Sequence, residues 1–155
     1  MKRFIIFNIV LFIVLFMTSC QSEKDDAAVL LEDVHKQYDS GNYVKCLALI
    51  DSLRATFPEE LSARREALKV FQQASLAIAQ QDLARTDSAL KVTEQSLNAL
   101  TATVEAHRRA LCATEEELSN LNFMRKKRDS LQVAYDVTCA KIRYIHKRQK
   151  QENTQ

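Results

Sequence analysis

Residues 76–118 read LAIAQQDLARTDSALKVTEQSLNALTATVEAHRRALCATEEEL, and Leu76, Leu83, Leu90, Leu97, Val104, Leu111 and Leu118 recur there at every seventh place. A seven-residue apolar repeat keeps one stripe of a helix turned toward a partner, so this stretch predicts a coiled-coil-like helix. The companion stripe three residues on is poorer: Ala79, Thr86, Thr93, Leu100, His107, Thr114 and Leu121. Thr and His there weaken a two-stranded seam and suit a shorter, imperfect one. Pro58 is the only proline and Gly41 the only glycine, so nothing after residue 58 breaks a helix by backbone chemistry. The expectation is one helix from about Glu60 to Ser119.

Downstream the phase changes. Met124, Leu131, Tyr135, Thr138, Ile142 and Ile145 mostly keep a three-four spacing offset from the first stripe, which marks either a stammer or a turn between two helices. Thr114-x-x-Glu117 has the form of a capping box, and Ser119-Asn120-Leu121-Asn122 is a second turn-prone patch. The turn is expected at Asn120, with a return helix from about Phe123 to Lys150 and fraying from Gln149 to Gln155. Cys46, Cys112 and Cys139 sit in apolar helical patterns and read as small buried hydrophobes. A Cys112–Cys139 disulfide is a sharper alternative that requires a turn near Arg125–Lys126. It is not fully compatible with a turn at Asn120.

Upstream, Val29, Leu30, Val34 and Tyr38 predict a helix from about Ala27 to Asp39. Ser40-Gly41-Asn42 breaks it, with Gly41 suited to a left-handed position and Asn42 to capping the next helix. Tyr43, Leu47, Ile50, Leu53 and Phe57 line one face of that helix, which ends before Pro58. The pattern Tyr38-x-x-Gly41-x-Tyr43, then Leu47, Ile50, Leu53 and Phe57-Pro58, resembles one tetratricopeptide repeat over residues 27–58. The resemblance implies two antiparallel helices in close contact. No second copy with its own Gly and Pro comes after it, and one repeat cannot bury its faces alone. The pair is therefore expected to pack on the next helix.

The amino-terminal residues read as a targeting segment. Lys2 and Arg3 precede an apolar run from Phe4 to Phe16, interrupted only by Asn8, and small residues precede Cys20. Thirteen residues make about 20 Å of helix, short of about 30 Å of hydrocarbon, and the polar run Gln21–Asp26 cannot extend it. Met17-Thr18-Ser19-Cys20 resembles the lipobox of bacterial lipoproteins, with Met17 where Leu is usual. That resemblance implies a signal peptide over 1–19, lipid on the thiol of Cys20, acylation of the new amino terminus and a tether over 20–26. Ser22-Glu23-Lys24-Asp25-Asp26 resembles the acidic export signal of Bacteroidota surface lipoproteins. It reads equally as a solvated tether. Gln21 rather than Asp after the cysteine disfavours inner-membrane retention by resemblance to enterobacterial sorting. An outer-membrane anchor, facing either side, is implied.

The remaining composition narrows the chemistry. Residues 21–124 hold 11 basic and 17 acidic side chains, whereas residues 125–155 hold 9 basic and 3 acidic. One glycine rules out a Gly-rich phosphate loop and a nucleophile elbow. His35, His107 and His146 have no metal-ligand spacing to one another, so no metal, cofactor or catalytic residue is assigned. Glu115-Glu116-Glu117 reads as a solvated helical turn. The most partner-like residues are Arg125, Lys126, Lys127, Arg128, Lys141, Arg143, Lys147 and Arg148. They suit an anionic surface or an acidic protein face, or pairing with the acidic long helix across a hairpin. Nucleic acid is disfavoured by export, and homo-oligomer formation is left open. An all-α protein is expected: a short tetratricopeptide-like hairpin over 27–58, then long coiled-coil-like helices over 59–155. Its expected role is a lipid-anchored, non-enzymatic envelope scaffold, spacer or adaptor. The alternative is a module that docks an envelope protein or anionic surface through the helix pair and the basic carboxy-terminal helix.

Overall fold

The computed structural model describes residues 24–152. Among the described residues the chain is all-α, with no strand: α1 over residues 24–39, α2 Tyr43–Thr56, α3 Leu61–Arg109 and α4 Glu115–Glu152. The described residues divide into two compact units, one ending at Ser75 and the other beginning at Leu76. α3 contributes its first turns to one and the rest to the other.

The first unit is the expected helix pair plus the start of α3. α1 already runs through residues 24–26, where a tether was expected. It stops at Gly41, whose φ of 74° suits a residue without a Cβ. The Gly41 N–H donates to the carbonyl of Tyr38 and the Asn42 N–H to that of Gln37, both at 2.9 Å. These two bonds are a Schellman closure, satisfying carbonyls that the helix end leaves open. Asn42 does not cap α2 with its side chain as expected. Its amide donates to Gln37 Oε1 at 3.3 Å instead, tying the turn back to α1. Tyr38 and Tyr43 meet across the turn, ring centroids 5.5 Å apart.

The core of this unit is built from Ala27 and Val34 on α1, Cys46, Ile50 and Leu53 on α2, and Ala63, Ala67, Val70 and Ala74 on α3. Small residues at intervals of three and four along α3 bring its backbone close to the pair, as two unrepeated helices require to cover their faces. This is why the unit ends at Ser75 rather than at Pro58. Each of Ile50, Leu53 and Val34 is fully buried, and such burial is worth roughly 1.5–3 kcal/mol apiece. The Arg54 guanidinium lies 4.8 Å from the Phe71 ring centroid, a cation–π contact between α2 and α3.

The second unit is a helical hairpin, and its turn differs from the expected one. α3 ends at Arg109 and α4 starts at Glu115, so Asn120 is inside α4 rather than in the turn. Leu111 adopts φ 58°. The Leu111 N–H donates to the carbonyl of Arg108 at 3.1 Å and the Cys112 N–H to that of His107 at 2.9 Å. This is the same closure as at Gly41, made with leucine in the left-handed place. Next comes the capping box expected at Thr114. Thr114 Oγ1 accepts from the Glu117 N–H at 3.2 Å, and Glu117 Oε2 accepts from the Thr114 N–H at 3.0 Å. His107, Arg108 and Arg109 close α3 and Glu115, Glu116 and Glu117 open α4, each favourable to its helix dipole.

The seam explains the choice of turn. On α3 it runs through Leu76, Ala79, Leu83, Thr86, Leu90, Thr93, Leu97, Leu100, Val104 and His107, all buried or half-buried. On α4 it runs through Leu121, Met124, Arg128, Leu131, Tyr135, Thr138, Ile142, Ile145, Gln149 and Glu152. Both lines alternate spacings of three and four. A return helix beginning at Phe123 would end before reaching Leu76 and Leu83. Turning at Leu111 lets α4 cover the whole stripe, and it continues helical to Glu152, past the expected fraying point at Gln149. Leu97, Val104 and Leu121 form the best-buried cluster, with Leu100, Leu118 and Met124 packed on it.

Candidate functional site

Cys20, the assigned lipidation site, lies with the signal segment outside the described residues. The other assigned residues fall on the hairpin. The turn at Leu111 overturns the condition for a Cys112–Cys139 bond. Cys112 is exposed in the turn, while Cys139 is 24 residues into α4, about 36 Å along the helix at ~1.5 Å per residue. Both thiols are free, as is Cys46. Of the three, Cys46 is the buried hydrophobe expected; Cys139 is half-buried and Cys112 is not buried at all. Burial pushes the Cys46 thiol up, away from the reactive thiolate.

The basic residues divide by position. Arg125, Lys126, Lys127, Lys141, Arg143 and Lys147 are exposed on α4. Arg128 instead takes a seam place. Its Nε is 2.7 Å from Asp129 Oδ1 but its N–H makes no hydrogen bond there, so the contact is Coulombic. Arg148 pairs with Glu152 at 3.6 Å, one turn further along the same helix. The ion pairs of both arginines are therefore within α4, and the expected pairing with α3 is not what holds them.

Two histidine–carboxylate pairs join residues far apart in sequence, beyond the reach of any local motif. His35 Nε2 on α1 lies 3.1 Å from Glu66 Oε1 on α3, at the edge of a cleft of about 560 Å³ that Arg65, Lys69 and Val70 also line. His107 Nδ1 on α3 lies 2.7 Å from Glu117 Oε1 on α4, so Glu117 serves the capping box with one oxygen and the histidine with the other. The backbone N–H of Thr114, and then His107, hold the Glu117 carboxyl below the usual carboxylate range. Glu117 is thus not the merely solvated side chain expected. Two signals were present: Thr114 fixes Glu117 in the first turn, and His107 falls on the seam spacing.

Further along the hairpin, Tyr135 has Cys139 beside it, one turn on in α4, and that neighbour pushes its hydroxyl up. On α3 the Lys91 ammonium donates to Asp87 at 2.6 Å, and that carboxylate pushes the ammonium up. Among the described residues no three His, Cys, Asp or Glu side chains are grouped to hold a metal ion. Among them also, no helix is long and apolar enough to cross a membrane. No family model, no curated protein and no solved structure matches this chain.

Proposed function

We propose that this chain is a lipid-anchored protein of the cell envelope that works as a non-enzymatic scaffold, spacer or adaptor. The observation that carries the reading is the layout Lys2-Arg3, apolar Phe4–Phe16, then Met17-Thr18-Ser19-Cys20. It joins export to a single acylatable thiol. Two or more acyl chains anchor stably, at about 0.8 kcal/mol per buried CH₂, where one is marginal. Beyond the anchor the described chain is helical, with shallow clefts and long exposed helix faces, a form suited to contact over surfaces. Labelling cells with a palmitate analogue tests it. Label and a shortened chain are expected for the wild type and neither for Cys20→Ala. An unlabelled wild type, or a normally processed variant, defeats the anchor.

The exposed cations favour a second reading, in which α4 docks an acidic envelope protein or an anionic surface. Lys126→Glu with Lys127→Glu tests this more cleanly than truncation, because residues 125–152 also build the hairpin seam. Loss of a stoichiometric partner from detergent-solubilised envelopes, with helicity retained, supports docking. An unchanged partner set removes it.

A further inference from the structure

The cleft beside the His35–Glu66 pair holds more positive charge than its own carboxylate answers. It lies between α1 and the first turns of α3, inside the first unit, with a volume of about 560 Å³. Ser62, Arg65, Lys69 and Gln73 succeed one another along it at helical spacing, so they line one face of α3. All four are exposed, and each carries a hydrogen-bond donor. Val70 adds an apolar wall. Glu66 is the carboxylate among the lining residues. It stands three residues before Lys69, a usual pairing distance on a helix, yet its Oε1 is turned to His35 Nε2 on α1 at 3.1 Å. Among the described residues Arg65 and Lys69 have no hydrogen bond or ion pair. Arg54 and Arg64 of the same unit are engaged by contrast. Arg54 lies 3.5 Å from Asp51 and over the Phe71 ring, and Arg64 donates to the Pro58 carbonyl at 2.6 Å.

We propose that this cleft binds a phosphate group, seated between Arg65 and Lys69. Residues four apart on a helix bring their side chains together, and two like charges there repel until an anion lies between them. A guanidinium presents a planar fork that matches two phosphate oxygens, and an ammonium takes a third as a point charge. A phosphate offers three such oxygens and a carboxylate two. The tetrahedral group therefore answers the fork and the ammonium together, where the planar one answers the fork alone. The α3 face from Ser62 to Gln73 is about 16 Å long at ~1.5 Å per residue, more than one phosphate spans. The remaining length, with the Ser62 hydroxyl toward one end and the Gln73 amide toward the other, leaves room for a polar ester group on the phosphate. Glu59 and Glu60 line the neighbouring cleft beyond Ser62, so the anion belongs at the Arg65–Lys69 end. Free phosphate and the headgroup of a phospholipid share this chemistry. The site is made by side chains of α1 and α3 and does not require the lipid anchor.

Calorimetric titration of the purified full-length chain, in nonionic detergent at low salt, tests it with inorganic phosphate, glycerophosphoglycerol and acetate. The phosphate-bearing ligands should bind in the millimolar range or tighter, and acetate about 10-fold more weakly. Arg65→Gln with Lys69→Gln should weaken them by about 10-fold or more, since charge-assisted hydrogen bonds are lost, while the far-UV helical signal is kept. Lys126→Gln with Lys127→Gln removes the same charge from α4 and should leave binding unchanged. As an independent reading, the Arg65 Nε–H resonance of the wild type should move as phosphate is added. Tighter binding of the ester supports a headgroup at the site, and the reverse order supports the free ion. Absence of heat together with an unmoved Arg65 resonance overturns the proposal. So does acetate binding as well as phosphate, or an α4 variant that loses as much affinity as the cleft variant.

Discussion

Leu111→Gly should stabilise the hairpin, although it removes an apolar side chain. Leu111 holds φ 58° in the turn between α3 and α4, where a residue with a Cβ is disfavoured by about 1–2 kcal/mol. Its side chain is 96% exposed, so truncation gives up almost no packing. Against the relief stands glycine's greater freedom in the unfolded chain, about 0.5–1 kcal/mol. The net gain is roughly 0.5–1 kcal/mol. At about 4–8 °C per kcal/mol for a unit of this size, the melting temperature should rise by about 2–8 °C. Thermal and denaturant unfolding followed by far-UV circular dichroism reads it. Leu111→Ile provides the opposite arm, since a β-branched side chain tolerates this backbone region least, and should melt lower than wild type. A glycine variant that melts at or below wild type, together with an isoleucine variant that melts unchanged, would refute the turn geometry and the strain assigned to it.

Three more outcomes are expected of the same structure. The Glu117 carboxyl is held below its ordinary value, so its contribution is present above that value and lost as pH falls through the lowered one. The stability gap between wild type and Glu117→Gln, open at neutral pH, should therefore close in urea titrations carried down through the acid range; a gap that stays constant contradicts the assigned bonds. Leu53→Ala should cost about 2–5 kcal/mol, because Leu53 is fully buried in the first unit, and a loss below about 1 kcal/mol by denaturant melt would count against that core. Timed alkylation of the folded chain should modify Cys112 quickly and Cys46 only on unfolding, with Cys112 and Cys139 recovered as separate thiols. A linked Cys112–Cys139 peptide would reopen the disulfide.

The helical character, the pair around Gly41 and the α3 stripe were legible because each rests on local chemistry: a lone glycine, a lone proline, and a seven-residue period. The turn was not, because leucine occupies its left-handed position. Leu111 continues the heptad line of Leu97 and Val104, so it reads as seam while serving as loop. The polar patch Ser119–Asn122 offered the more familiar turn chemistry, but choosing it would strip Leu76 and Leu83 of cover. That is a long-range packing cost, and no local pattern registers it. The pairing of His107 with Glu117 was hidden for the same reason, since the two meet only once the chain has turned at Leu111. The unit boundary at Ser75 came from alanines on α3, whose role as a floor for α1 and α2 shows only in the packed state.

Arg128 has a consequence for alignment. Leucine stripes repeat every seven residues, so two such helices lose little on sliding by one repeat, and apolar contact alone defines the match poorly. Arg128 stands in the seam between Met124 and Leu131 with its Nε out of reach of solvent and its charge answered by Asp129 beside it. A slide by one repeat would set that guanidinium at a different level of α3, while Asp129, the next residue on the same helix, would move with it. One polar group at a seam position commonly selects a register at some expense of stability. On this hairpin the shielded Nε of Arg128 makes one level of the seam unlike the leucine levels around it, so the repeats along α4 are not all equivalent.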